Sequence, residues 1–102
     1  MNENVFMGLR DVGQAEDILN RFRRENSNDI DAIEKMLNDL LDALLSCQEP
    51  LTGGADDFHN FTVSISKISG DNRAALQIAE EGLKLHSDNT DLLADAILYG
   101  QL

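Results

Sequence analysis

Residues 29–46, with the sequence DIDAIEKMLNDLLDALLS, decide the fold class of this chain. Their apolar side chains recur at intervals of three and four and therefore form one stripe along a helix. The stripe consists of Ile30, Ile33, Leu37, Leu40, Leu41, Leu44 and Leu45. Asp31 and Glu34 fall in the first turns, where negative charge is stabilised by the helix dipole. The pattern predicts a long amphipathic helix over residues 29–46.

A shorter helix is predicted before it. From Gln14 onward, Ala15, Ile18, Leu19 and Phe22 follow the spacing i, i+3, i+4, i+7. Three arginines (Arg21, Arg23 and Arg24) collect near the end of this pattern, where cations suit the helix dipole. Residues 26–29, Asn-Ser-Asn-Asp, favour a turn followed by a new helix start. The two helices are expected to form a helical hairpin.

Two stretches lack a clear helical pattern. In residues 1–12 apolar side chains have near-helical spacing, but Gly8 and the following Gly13 interrupt them, so we expect a short helix or a mobile arm. Residues 47–55 contain Pro50, the one proline, and the adjacent Gly53 and Gly54. These residues disfavour helix and strand, and we expect an internal loop.

Residues 58–68 carry two competing patterns. Phe58, Phe61, Ile65 and Ile68 are spaced as on a helix, whereas residues 61–66 alternate like a half-buried strand rich in β-branched residues. We favour the helix. Beyond Gly70 and Asp71, two further helical patterns are separated by a polar turn at residues 87–90. The sequence thus predicts a single all-α domain over residues 1–102, a small bundle of four to five helices arranged as antiparallel hairpins.

Charge and cysteine content limit the function classes. Lys and Arg number 8 against 19 Asp and Glu, which gives a net charge of -11. Such a charge repels nucleic-acid phosphates and anionic lipid heads and attracts a basic protein partner. Cys47 is the single cysteine, so no internal disulfide is expected, and the chain shows no signal peptide or membrane-spanning run. We expect a cytoplasmic protein that binds neither nucleic acid nor membrane.

No motif points to catalysis. Phosphate-binding loops, dinucleotide fingerprints, nucleophile elbows and zinc-protease signatures are all missing from the sequence. His59 with Asp56 and Asp57 has the donor types of a metal or acid–base cluster, but two aspartates before an apolar run are ordinary first-turn residues of a helix. We therefore expect no enzyme activity, no cofactor and no metal site.

Residues 70–89 resemble one unit of the tetratricopeptide repeat family. Gly70-Asp71 is similar to the turn between the two helices of that repeat, Ala75 to its small residue, and Gly82-Leu83 to its Ala-Leu pair. The polar exit Ser87-Asp88-Asn89 is similar to Pro-Asp-Asn in the family. The preceding helix departs from the pattern, because His59, Thr62-Val63 and Ser66 stand where the repeat has an aromatic residue, Leu-Gly and Tyr.

The resemblance implies a tetratricopeptide-like adaptor or chaperone that binds a partner helix or peptide without chemistry of its own. Because the last helical pattern is apolar to its end, we expect partner binding at the two final helices and the 58–68 segment. The residues predicted to bind are Leu92, Leu93, Ala96, Tyr99, Phe58 and Phe61. Two alternatives remain: a homo-oligomeric structural domain whose final helix pairs with a second copy, and an acidic inhibitor that mimics nucleic acid.

Overall fold

The computed structural model describes residues 4–101, which form five α-helices and no named strand. The helices are α1 (Val12–Glu25), α2 (Ile30–Leu45), α3 (Ala55–Ser69), α4 (Asn72–Leu85) and α5 (Thr90–Gly100). The predicted all-α bundle is therefore confirmed. Residues 58–68 lie within α3, so the helical prediction for this segment is correct and the strand alternative is wrong.

Short polar side chains fix where most of the helices begin. Asp11, Asp29, Asp71 and Asn89 each accept a hydrogen bond from the backbone N–H three residues later, which satisfies a donor that the first helical turn leaves free. The cap at Asp11 places the start of α1 two residues before the predicted Gln14. At the other end of a helix, Gly70 closes α3 in the left-handed conformation with φ 69°.

Helix α3 is the centre of the bundle, since it contacts each of the other four helices. Its inward side chains Phe58, Phe61 and Ile65 are completely buried. They meet apolar residues from every other helix that are also fully buried: Leu19 of α1, Leu37 and Leu40 of α2, Ile78 of α4 and Leu92 of α5. The amphipathic stripes read from the sequence thus converge on one core.

Residues 4–11, the described part of the predicted arm, lie against the bundle. The Asn4 side chain donates to the backbone carbonyl of Asp39 over 2.7 Å, and Phe6 and Leu9 pack at the edge of the core. The backbone at Asp11 pairs with Thr52 in an isolated parallel bridge. This pairing ties the N-terminal segment to the loop that precedes α3. Residues 1–3 of the predicted arm lie outside the described residues.

Candidate interaction surface

The six residues predicted to bind a partner divide between the core and the surface. Phe58, Phe61 and Leu92 are fully buried, and Tyr99 is 8% exposed. Leu93 is 43% exposed, and Ala96 is half-buried. Hence Leu93 is the member of the predicted set whose side chain is most available to a partner in this conformation.

The burial follows from the way α5 packs. Leu92, Asp95, Ala96 and Tyr99 lie at i, i+3, i+4 and i+7, so they form one helical face. Helix α5 folds back so that it contacts α3 and α4. The apolar inner face of the final helix is therefore covered by this chain itself.

The opposite side of α5 is also apolar and faces solvent. It consists of Leu93, Ala94, Ile97 and Leu98, which we call the α5 outer face. Ile97 is 63% exposed and Leu98 51% exposed. Sequence reasoning missed these two residues, although the spacing i, i+1, i+4, i+5 from Leu93 carried the signal of a second apolar stripe. A helix that is apolar on both sides typically has a neighbour on both sides.

The charged side chains of α5 and of the turn before it have one sign. From His86 to the end of the sequence there is no Lys or Arg, whereas Asp88, Asp91 and Asp95 fall in this stretch. Asp88 and Asp91 are exposed, and Asp91 lies one heptad before Leu98, on the same side of the helix. The apolar face therefore has an anionic border toward the beginning of α5.

His59 belongs to a pair that differs from the cluster considered in the sequence. Its Nδ1 lies 2.6 Å from Oδ2 of Asp95, which is 6% exposed, and this contact joins α3 to α5. Asp57 instead accepts a hydrogen bond from the Gly54 backbone at the start of α3. Within residues 4–101, no three His, Cys, Asp or Glu side chains are placed to hold a metal ion.

His86 and Cys47 pack against other parts of the bundle. His86 Nε2 lies 2.9 Å from the Gly53 carbonyl, and its ring meets the edge of the Phe58 ring at a centroid distance of 6.2 Å. His86 thus links the end of α4 to the loop before α3. Cys47 is half-buried at the edge of the core.

Glu16 and Asp95 are both buried carboxylates, and Glu16 is the one with a buried oxygen that lacks a hydrogen-bond partner among residues 4–101. Glu16 is 8% exposed, its Oε1 accepts from the Ser64 hydroxyl over 3.3 Å, and its Oε2 has no hydrogen-bond partner among the described residues. Burial raises the pKa of Glu16, and the nearby Asn20 and Ser64 side chains and the charge of Arg23 oppose that rise only partly. This carboxylate lies between α1 and α3, away from the α5 outer face.

Comparisons of the chain with protein-family models, curated proteins and solved structures find no match. The resemblance to a tetratricopeptide repeat stays a prediction from residues 70–89. Among residues 4–101, no helix combines the length and the apolar character that a bilayer span requires.

Proposed function

We propose that this protein is a non-catalytic interaction module, and that the α5 outer face binds an apolar helix of another protein with flanking basic residues. The observation that carries the proposal is the exposure of three large apolar side chains, Leu93, Ile97 and Leu98, on one side of one helix. A cluster of exposed apolar residues marks an interaction site more often than the same residues scattered singly. The resemblance to the tetratricopeptide repeat adds the expectation of an adaptor or chaperone.

The α5 outer face is shaped to bind a helix. Leu93 and Ile97 form an i, i+4 ridge, and Ala94 and Leu98 form a second, parallel ridge beside it. A groove between such ridges accepts the side chains of another helix. On its inner side α5 already packs against two helices, α3 and α4. The partner would therefore extend the bundle by one helix.

Charge favours a basic partner. Asp91 lies on the same side of α5 as the face, no Lys or Arg follows Lys84 in the sequence, and the whole chain carries a net charge of -11. Lys and Arg beside the partner's apolar stripe would accelerate the encounter and would lie close to this aspartate. A second acidic copy of this chain meets repulsion instead.

The test uses two synthetic 18-residue amphipathic helices as probes. Both have leucines on one face; the Leu/Lys peptide has lysines on the other and the Leu/Glu peptide has glutamates. Fluorescence anisotropy is measured with the full chain and with the variant L93D/I97D. We expect the Leu/Lys peptide to bind and L93D/I97D to weaken that binding by about tenfold or more, since central apolar contacts dominate such interfaces.

The direction in which L93D/I97D changes the affinity distinguishes binding through apolar contacts from binding through net charge. The two added aspartates make the protein more acidic, so purely electrostatic binding of the Leu/Lys peptide would become tighter in L93D/I97D. The matched control is V5D/M7D, which removes two other exposed apolar side chains and adds the same charge. Equal or tighter binding by a folded L93D/I97D would contradict the proposal.

Salt distinguishes the proposal from mimicry of nucleic acid. Contacts between apolar side chains persist when salt rises to about 1 M, where the Debye length falls to about 3 Å. Binding of the Leu/Lys peptide should weaken but survive. Complete loss of binding in salt would indicate an electrostatic contact alone and would favour the mimic.

A further inference from the structure

We infer that a second binding site lies at the other side of the bundle, in a groove between the end of α1, the start of α2 and the end of α3, and that it takes an acidic, apolar peptide segment. The inference is independent of the proposed function, because none of the groove residues belongs to α5. The groove has a volume of about 630 Å³. Its lining consists of Asn20, Arg23, Arg24, Ser27, Ile30, Ile33, Lys67 and Ile68.

The groove is positively charged, whereas the whole chain is negatively charged. Acidic residues outnumber basic residues by 19 to 8 in the chain, yet the described residues that line the groove include three cations and no Asp or Glu. Arg23 and Arg24 come from the last turn of α1, and Lys67 comes from the last turn of α3. The ends of two helices thus bring their cations to one place.

These cations have free hydrogen-bonding capacity. Across residues 4–101, none of Arg23, Arg24 and Lys67 forms an ion pair within 4.0 Å, whereas Arg10, Lys35 and Lys84 each do. Asp29, which precedes α2, already accepts a hydrogen bond from the Ala32 backbone as the helix cap. Carboxylates supplied by a ligand would therefore find three donors, two of them guanidinium groups suited to bidentate contacts.

Apolar side chains complete the lining. Ile30 is 69% exposed at the edge of the groove, while Ile33 is buried and Ile68 is half-buried. A ligand that covers the side chain of Ile30 removes apolar surface from water, which favours binding. The groove therefore selects for an apolar side chain beside a carboxylate.

The openness of the groove favours a peptide segment over a small molecule. Arg23, Arg24, Ser27, Ile30 and Lys67 are all exposed, so the groove is a surface trough. Small ligands bind in cavities that enclose most of their surface. A segment of another protein that lies along the trough can contact its cations and cover Ile30.

The experiment measures binding of the Leu/Glu peptide by fluorescence anisotropy. We expect R23S/R24S to weaken binding by about tenfold, because two charge-assisted contacts are lost. The control R21S/R73S removes the same charge from two exposed arginines outside the groove and should change affinity less than about twofold. I30S should also weaken binding of the peptide, since the apolar contact with Ile30 is part of the site.

Several outcomes would overturn the inference. Equal losses in R23S/R24S and R21S/R73S would mean that net charge alone attracts the peptide, and the arginines of α1 would then serve only to complement the helix dipole. No binding of the Leu/Glu peptide together with saturable binding of dodecanoate would assign the groove to a small amphiphile. A dimer that R23S/R24S dissociates would make a second copy the occupant. The inference is supported if L93D/I97D binds the Leu/Glu peptide with the same affinity as the unmodified chain, because the site is then separate from α5.

Discussion

Gly82 lies where α4 approaches α3 most closely. A Cβ atom at this position would lie 2.8 Å from both Cβ and Cγ of Phe58 and 3.0 Å from Cδ1 of Leu92. Phe58 is fully buried, and the clash includes its Cβ, which cannot move without its backbone. The absence of a side chain at Gly82 therefore sets the distance between α3 and α4.

Replacing Gly82 with Ala should destabilise the fold. Overpacking of a close helix contact costs about 1–3 kcal/mol, and the better helix propensity of Ala returns about 1 kcal/mol of that. The expected net loss is up to about 2 kcal/mol in the free energy of unfolding, measured by urea denaturation. The matched control is G100A, whose new Cβ would make only an ordinary contact of 3.8 Å with Leu76. Equal or greater stability of G82A would contradict the close approach.

Glu16 gives the molecule a pH dependence with a definite sign. Burial raises the pKa of Glu16 in the folded state above its ordinary value, so the folded protein binds this proton more tightly than the unfolded chain does. The stability contributed by the protonated carboxyl is fully present below the unfolded pKa. It is lost as pH rises through the folded pKa, because an ionised carboxylate must then be buried.

The variant E16Q should remove this dependence. Gln keeps an acceptor for Ser64 but cannot ionise, so E16Q should gain stability relative to the unmodified chain as pH rises from the acid range to neutral pH. Urea denaturation at several pH values measures the difference. E80Q, which neutralises an exposed glutamate of α4, controls for the change in net charge. A difference between E16Q and the unmodified chain that stays constant over this pH range would exclude Glu16 as the cause.

At the scale of the helices, the sequence predicts what depends on local pattern. The stripe of α2 from Ile33 to Leu44, the helix start after Asp29 and the break between helices at Gly70 were predicted, because each depends on neighbours within about four positions. The competing pattern at residues 61–66 was resolved in favour of a helix by tertiary packing. All four other helices contact α3, and Phe61 and Ile65 are buried on the same face of it.

The candidate surfaces were less predictable, because they depend on which side of each helix faces the bundle. Two apolar stripes are present in α5, and the sequence alone does not say that Leu92 turns inward and Ile97 outward. Asp95 illustrates the same limit, since its pairing with His59 spans 36 positions in the chain. The arginines of α1 were interpreted through the helix dipole, and their position beside Lys67 became visible only when α3 was placed.

At the scale of the whole molecule, size and charge act in opposite directions on association. The Cα radius of gyration is 12.9 Å, which agrees with the value of about 13 Å expected for a folded chain of this length. A net charge of -11 on so small a body produces strong repulsion between copies at low ionic strength. The exposed Leu93, Ile97 and Leu98 promote association, but only between molecules that come close.

These opposing effects predict a folded monomer when the protein is alone. We expect sedimentation equilibrium over a hundredfold concentration range, at about 0.1 M salt, to give one mass, with a helical circular dichroism spectrum throughout. The reason is that α5 already buries Leu92 and Tyr99 against this chain, so the bundle does not need a second copy to complete its core. A concentration-dependent dimer that L93D/I97D dissociates, but V5D/M7D does not, would make a second copy the occupant of the α5 outer face. It would replace the partner helix with the homo-oligomeric alternative.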